Sequence, residues 1–283
     1  MYKIAILGCE NSHANSFLKF GKNFDDIEFV GVYSDDTEAA QKLCDEFGVP
    51  VMESADSLLG KVDGIMVTAR HGDNHLKYAK PYIESGIPMF IDKPITCSNE
   101  DAIELATLLE KYGVKVSGGS SVPLADHVQE LKEDIKNQTL GNTFGGFVRA
   151  PVNMDNPYGG FHFYSQHLVQ TVCEIFGNYP NSVQAFVNGN IVNCVIRYDN
   201  FDVSGQFTDG NYMYIAEISC EKGIKGGAFD LEGVFEKEFN EYYNILKGGE
   251  QKQSYKDFIA PVFVINAISR SIESGKEERV ERA

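Results

Sequence analysis

Residues 64–92 read GIMVTARHGDNHLKYAKPYIESGIPMFID, and this stretch decides the fold class. Gly64–Thr68 is a short apolar run typical of a buried strand, a helical pattern covers 74–85, and Pro88–Asp92 is a second apolar run. Two strands separated by a helix of this length predict parallel strands joined by a right-handed crossover. Apolar runs that are continuous rather than alternating indicate strands covered on both faces of a sheet.

The same rhythm continues on both sides of this unit. Further strands and helices are predicted over 3–7 (strand), 27–33 (strand), 37–47 (helix), 99–112 (helix) and 114–117 (strand). This succession predicts an α/β domain with a doubly wound parallel sheet, Rossmann-like, over residues 1–119.

The pattern changes after the GGSS sequence at 118–121. Helices are predicted over 124–137 and 166–176, a strand over 144–150, and five β-like runs over 183–188, 191–198, 203–208, 212–219 and 226–231. Short turns between the later runs favour antiparallel pairing. We therefore predict a second, α+β domain over 120–283, built on a mainly antiparallel sheet and serving substrate binding and oligomerisation. A closing helix over 257–273 is a candidate to pack back on the first domain.

Composition and charge exclude several classes of partner. The 283 residues include 41 acidic and 25 basic side chains, a formal net charge of −16. A surface this negative repels phosphate backbones and anionic membranes, so we expect neither nucleic acid nor membrane as a partner. No apolar run is long enough to span a bilayer, and the six scattered cysteines lack paired or metal-finger spacing. These features predict a cytoplasmic protein.

The loop after the first strand is a candidate nucleotide-binding turn. Gly8 would allow the tight turn that aims the next helix at a pyrophosphate, and we predict cofactor contacts from Gly8, Asn11, Ser12 and His13. The G-x-G-x-x-G fingerprint is altered, however, because Glu10 and His13 stand where glycines are expected. Glu10 would bring a negative charge towards the phosphates, so a turn that binds no dinucleotide remains the alternative.

The end of the second strand carries Ser34, Asp35 and Asp36. A carboxylate here accepts hydrogen bonds from a ribose diol and repels a 2′-phosphate, so Ser34 and Asp35 are predicted cofactor contacts that favour NAD over NADP. Asp36 has a second interpretation, as the cap of the helix that begins at Thr37.

Residues 88–95, PMFIDKPI, resemble the hallmark of the glucose–fructose oxidoreductase / inositol dehydrogenase (Gfo/Idh/MocA) family, which is Glu-Lys-Pro at the end of a sheet strand. Here the motif stands as Asp92-Lys93-Pro94. Residues 65–74 resemble the family's strand and cofactor-contacting loop, and the order of elements matches over nearly the whole chain. The resemblance implies an NAD- or NADP-dependent dehydrogenase or reductase, acting on a small hydroxylated, sugar- or polyol-like substrate, and a homo-oligomer.

The resemblance also implies roles for individual residues. The motif lysine, here Lys93, would lie near the nicotinamide and the substrate hydroxyl, where partial desolvation lowers its pKa towards that of a proton-transfer group. The loop and the motif would add to the cofactor contacts Ala69, Arg70, His71, His75, Asp92, Lys93 and Pro94.

A second family signature, Asp-x-Gly-x-His, corresponds to Phe163-Tyr164-Ser165-Gln166-His167. His167 matches the histidine and is a predicted acid or base. Phe163 replaces the aspartate, and Tyr164 would supply a hydroxyl in its place; packing residues at a helix start are the alternative. The candidates for holding substrate are Ser120, Tyr158, His162 and Gln170.

Two questions stay open at this stage. His71 and His75 are spaced like a metal pair, but no third ligand is evident, so we expect no metal. The altered glycines and Phe163 also leave room for a non-catalytic nucleotide- or sugar-binding sensor, or for a lyase or epimerase that uses tightly held NAD.

Overall fold

The computed structural model describes all residues, Met1–Ala283, and the chain divides into two units. The first unit comprises Met1–Gly119 and Phe235–Tyr255, and the second comprises Ser120–Val234 and Lys256–Ala283. In chain order the elements are β1 (Tyr2–Leu7), α1 (Ser12–Gly21), β2 (Ile27–Tyr33), α2 (Thr37–Phe47), β3 (Gly64–Val67), α3 (Asp73–Ile83), β4 (Met89–Asp92), α4 (Asn99–Tyr112), β5 (Val116–Gly119), a 3₁₀ turn (Val122–Leu124), α5 (Asp126–Lys136), β6 (Thr143–Val152), α6 (Phe161–Phe176), β7 (Ser182–Asn188), β8 (Ile191–Arg197), β9 (Asp202–Asp209), β10 (Tyr214–Cys220), β11 (Gly223–Phe229), α7 (Val234–Leu246), α8 (Tyr255–Ser274) and β12 (Glu278–Arg279).

The first unit contains a five-stranded parallel sheet in the order β2-β1-β3-β4-β5. Val51 adds a single parallel bridge to Val32 on the outer side of β2. With this rudimentary strand counted, the strand order becomes 3-2-1-4-5-6, which is that of a Rossmann fold. The predicted doubly wound sheet is confirmed.

The strand order reverses between β1 and β3, and the two loops that leave these strands approach each other closely. Gly8 has a φ of 97°, and a Cβ at this position would lie 2.2 Å from the backbone nitrogen of Ala69. A side chain is therefore excluded here for two independent reasons. In folds of this kind, ligands bind outside the carboxyl ends of the strands at this reversal.

Helix α7 completes the core of the first unit, although the sequence analysis did not predict it. Its buried Phe239 and Tyr242 pack towards α1 and the sheet, with ring centroids 5.9 Å from Phe17 and 6.4 Å from Phe90, respectively. Each aromatic side chain of this size contributes on the order of 1.5–3 kcal/mol when fully buried. The segment 235–255 thus belongs to the first unit, whereas the predicted boundary placed all residues after 119 in the second domain.

The second unit contains a seven-stranded sheet in the order β11-β10-β6-β9-β8-β7-β12. Only the β6–β9 pair is parallel, so the predicted mainly antiparallel sheet is confirmed. The strands do not form a simple meander, because β6 lies between β9 and β10. Helix α6 begins at Phe161, five residues before the predicted start at 166, and most of its residues are buried.

The closing helix α8 is grouped with the second unit rather than with the first from Lys256 onwards. Its Ser271 hydroxyl accepts a hydrogen bond from the backbone N–H of Ala185 on β7 at 2.8 Å. The side chain of Asn266 meets His162 Nε2 at 2.8 Å, which ties α8 to α6. No helix of the chain combines the length and the apolar character needed to cross a membrane.

Candidate functional site

Asp92, at the end of β4, is the hub of the polar cluster in the first unit. Its carboxylate is fully buried and accepts hydrogen bonds from Asn11 Nδ2 at 2.7 Å, from the Lys93 backbone N–H at 2.7 Å, and from His13, whose Nδ1 lies at 2.9 Å. Burial alone would raise the pKa of Asp92, but the neighbouring His13 and Lys93 outweigh it and lower that pKa. Asp92 is therefore a fixed anion directly before the lysine of the motif.

Lys93 follows this carboxylate and is only 4% exposed. Burial lowers the pKa of its ammonium group to about 8, although Asp92 acts in the opposite direction, and Arg70 adds to the lowering. A lysine in this state exchanges between ammonium and amine close to neutral pH, which is the property needed of a proton-transfer group.

Glu10 replaces a fingerprint glycine, and its carboxylate is bonded back to the protein. It accepts hydrogen bonds from the backbone N–H of Cys9 at 2.9 Å, the hydroxyl of Ser34 at 2.7 Å and the backbone N–H of Arg70 at 3.0 Å. These donors belong to the loops after β1, β2 and β3. Glu10 therefore joins three loops by hydrogen bonds. The sequence analysis missed this role because Ser34 and Arg70 are distant from Glu10 in sequence.

The end of β2 presents Asp35 at the surface. Its carboxylate accepts hydrogen bonds from Lys77 Nζ at 2.8 Å and from the Tyr33 hydroxyl at 2.8 Å, and the Lys77 bond is the main reason that its pKa is lowered. Asp36 is the cap of α2, since its side chain accepts from the backbone N–H of Ala39 at 3.0 Å. The second interpretation of Asp36 is thus the correct one.

These residues fit a dinucleotide. The N-terminus of α1, which begins at exposed Ser12 after the cap Asn11, offers backbone N–H groups at the sheet reversal. Asp35 offers exposed carboxylate oxygens of the kind that bind a ribose diol. Glu10 is held by donors of the protein itself, so its charge is partly compensated before any phosphate approaches.

The loop after β3 does not contain the histidine metal pair considered from the sequence. The ring of His75 is fully buried, and its nitrogens lie 2.8 Å from the carbonyl of Ala69 and 3.3 Å from that of Ile95. Burial lowers the pKa of His75, so we assign it a structural role in fixing the loop.

His71 instead faces Asp73 and Cys97, and their ligand atoms all lie within 4.8 Å of one another. Nδ1 of His71 already accepts the Asp73 backbone N–H at 3.3 Å. Burial raises the pKa of the Cys97 thiol to about 12, which disfavours the thiolate that a metal needs.

The candidate residues of the second unit gather around His167, which lies on α6 and is buried. Its Nδ1 lies 2.8 Å from the hydroxyl of Ser120, and the backbone N–H of Ser120 donates to Gln170 at 2.8 Å. The ring of Tyr164 meets the ring of His167 edge-on at 5.3 Å between centroids. Four predicted residues that are up to 50 positions apart in sequence thus form one cluster.

The other predicted residues of this unit are arranged differently. Phe163, at the position of the family aspartate, is buried and contacts the rings of Tyr158 and Tyr164 at centroid distances of 6.0 Å and 5.0 Å. His162 bonds Asn266, as described above, so we assign it to packing of α6 against α8 rather than to substrate.

Comparisons with known proteins agree on one group. Residues 2–120 match the family model described as "Oxidoreductase family, NAD-binding Rossmann fold". Glucose-6-phosphate 3-dehydrogenase of Bacillus subtilis (strain 168) is 26% identical over 267 residues, which cover 86% of this chain and 75% of that protein.

Solved structures show the same fold at lower identity. A myo-inositol dehydrogenase from Corynebacterium glutamicum ATCC 13032 superposes with a TM-score of 0.85 at 17% identity, covering 100% of both chains. GenD2 from gentamicin A biosynthesis, solved in complex with NAD, superposes with a TM-score of 0.84 at 15% identity, covering 99% of this chain and 96% of that chain.

Proposed function

We propose that this chain is a member of the Gfo/Idh/MocA oxidoreductase family, and that it is an NAD-dependent dehydrogenase that acts on a small hydroxylated, sugar- or polyol-like compound. One observation carries the proposal. Lys93 is buried at the end of a Rossmann strand, its pKa is lowered to about 8, and the preceding Asp92 is fixed by Asn11 and His13. A sensor that only binds a ligand has no need of a lysine poised for proton exchange.

The chemistry divides between the cofactor and the protein. NAD, when bound, supplies the hydride acceptor. In the oxidising direction, the free amine of Lys93 takes the proton from the substrate hydroxyl as the carbonyl forms. In the reducing direction, the ammonium form returns a proton to the carbonyl oxygen. Asp92 stabilises the ammonium form electrostatically, which keeps the pKa of Lys93 from falling further.

His167 is proposed as the second proton-handling residue. The Ser120 hydroxyl at its Nδ1 fixes the orientation of the imidazole, and the other ring nitrogen, Nε2, is the atom proposed to act on a substrate oxygen. Tyr164 is proposed to contribute a hydroxyl beside it, and Gln170 fixes the backbone of Ser120.

The substrate class is proposed from the relatives. A curated relative oxidises a sugar phosphate, according to its name, and a structural neighbour is named for an inositol. Both names describe a compound with several hydroxyl groups on a ring. The test is to incubate the purified protein with NAD and inositols, hexoses and glucose 6-phosphate, and to follow the absorbance of NADH. Reduction of NAD with one of these compounds is expected. Binding of the compounds and of NADH without any reduction would favour the sensor instead.

We also propose a homo-oligomer in the cytoplasm. Large apolar side chains are exposed on the sheet of the second unit, among them Phe186 and Val187 on β7 and Ile224 on β11. All six cysteines are free, as expected of a reducing compartment. Light scattering on the protein as it elutes from a gel-filtration column should give a mass of at least twice 31.4 kDa, and the mass of a single chain would contradict the proposal.

A further inference from the structure

Glu238 is a buried ionisable residue of the first unit to which the mechanism above gives no role. Glu238 lies on α7, on the same face as Phe235 and Tyr242, which are three positions before it and four positions after it. It is 2% exposed, and neither of its carboxyl oxygens has a hydrogen-bond partner. Buried polar groups without a partner are rare and destabilising in native proteins, so this one calls for an explanation.

Its surroundings connect Glu238 with the polar cluster at the end of β4. The ring of Phe235, one turn earlier on α7, lies 4.6 Å from the ring of His13, which binds Asp92. Asp92 and Lys93 both act electrostatically on Glu238. The carboxyl group thus lies in the same buried region as the lysine that we propose to transfer a proton.

Burial raises the pKa of Glu238 well above its usual value, and the negative charges of Asp92 and Glu241 act in the same direction, whereas Lys93 opposes them. The side chain therefore keeps its proton to a higher pH than an exposed glutamate does. The groups that act in turn on Lys93 are Asp92, Arg70 and Glu238 itself.

We propose that Glu238 is a positioning residue for Lys93, a buried carboxyl group whose own ionisation sets how readily Lys93 gains and loses its proton. The inference rests on the proposed function, because it gives Glu238 a role only if Lys93 handles a proton. While Glu238 is neutral, it adds no negative charge that would favour the ammonium form of Lys93. When Glu238 ionises, its negative charge favours the ammonium form, so the two groups titrate as a coupled pair.

The first test measures stability and needs no turnover. In the unfolded chain a glutamate is exposed to water and loses its proton at about pH 4.3. In the folded protein, Glu238 keeps its proton to a higher pH, so the wild type loses stability as pH rises between these two values. The Glu238→Gln variant lacks this loss. Its melting temperature should therefore exceed that of the wild type by a margin that grows as pH rises above about 4.3. The matched control is Glu236→Gln, an exposed residue of the same helix, whose margin should stay constant.

The second test measures the coupling. In a Lys93→Met background, the ammonium that eases the ionisation of Glu238 is absent, so the stability gained by Glu238→Gln at pH 8 should be larger than in the wild type. Equal gains in the two backgrounds would overturn the inference. A margin that does not change with pH would overturn it as well, since a carboxyl with only a packing role gives that result.

The third test uses the enzyme. If kcat/KM rises with pH as Lys93 loses its proton, the midpoint should move to lower pH by about one unit in Glu238→Gln, and Glu238→Asp should restore it in part. An unmoved midpoint would count against the inference. If the wild type catalyses no reduction of NAD but the melting experiments show the coupling, it is the proposed function that fails. If the wild type is active but the coupling is absent, it is the role of Glu238 that fails.

Discussion

His13 Nδ1 lies 2.9 Å from the carboxylate of Asp92, so the first turn of α1 is bonded to the residue that precedes Lys93. Both side chains are buried, and the contact joins positions 79 residues apart. A Rossmann fingerprint has a glycine where His13 stands. In this chain the side chain at that position, His13, bonds the carboxylate of Asp92, the first residue of the Asp92-Lys93-Pro94 motif.

Replacing His13 with alanine should therefore affect both stability and activity. A buried carboxylate would lose one of its partners, and such a loss typically costs about 1–3 kcal/mol in the free energy of unfolding. We also expect kcat/KM to fall, because Asp92 no longer fixes the backbone of Lys93. Urea unfolding and steady-state kinetics measure the two effects. Asn15→Ala, on the same helix, is the control and should change neither by a comparable amount; unchanged stability of His13→Ala would contradict the prediction.

Removing the side chain of Glu10 should destabilise the first unit. Its carboxylate bonds the loops after β1, β2 and β3, and two of its three donors are backbone N–H groups. In Glu10→Ala these donors lose their partner, so we expect the free energy of unfolding to fall by about 1–3 kcal/mol. The exposed Glu38→Ala on α2 is the control. Equal stability of the two variants in urea would show that the three hydrogen bonds of Glu10 contribute nothing to the free energy of unfolding.

Asp35 should set the preference between NAD and NADP. Its carboxylate pairs with Lys77 at 2.8 Å, so Asp35→Ser removes the charge that repels a 2′-phosphate and also frees a lysine to bind one. The ratio of the dissociation constants of NADPH and NADH should fall by about tenfold or more, an energy of roughly 1.4 kcal/mol. Fluorescence titration with both nucleotides gives this ratio. Asp45→Ser on α2 should leave it unchanged, and the same ratio in both variants would exclude Asp35 from the site.

Ser120→Ala should weaken catalysis without loss of the fold. The Ser120 hydroxyl is 2.8 Å from His167 Nδ1 and orients the ring, so its removal leaves the imidazole less well fixed. We expect kcat to fall by about tenfold, which is less than the hundredfold or more that a positioned acid or base contributes, because the imidazole is loosened and not removed. The melting temperature should change little, and Ser204→Ala, an exposed position on β9, is the control. A kcat equal to that of the control would remove His167 from the proposed mechanism.

The sequence was sufficient for the parallel sheet, because buried parallel strands are written as continuous apolar runs, such as 65–67 and 89–91. It also placed Lys93 correctly at the end of a strand, since the DKP motif follows such a run directly. It did not reveal α7. The apolar stripe of that helix is interrupted by Glu238, and the helix belongs to a unit from which it is separated by more than a hundred residues.

The site could be predicted only as far as its signals were local. Asp36 is a helix cap and the loop before α1 is a tight turn, and both follow from a few adjacent residues. The carboxylates of Glu10 and Asp92 accept hydrogen bonds from donors in other loops and at the start of α1, at separations of up to 81 residues. No periodicity or spacing encodes such a pairing. Glu10 was therefore interpreted as a charge facing the phosphates and not as a residue that joins loops by hydrogen bonds.

The most direct test of the account is to replace Lys93 with alanine and to measure NADH binding and turnover on the same preparation. The wild type should show kcat/KM in the oxidising direction that rises with pH with a midpoint at about pH 8, as Lys93 becomes an amine. Lys93→Ala should lose at least about a hundredfold in kcat, as expected for a lost acid–base group, while its affinity for NADH stays within a few-fold of the wild type. Turnover that survives the substitution with an unchanged pH profile would contradict the central claim that this lysine handles the proton.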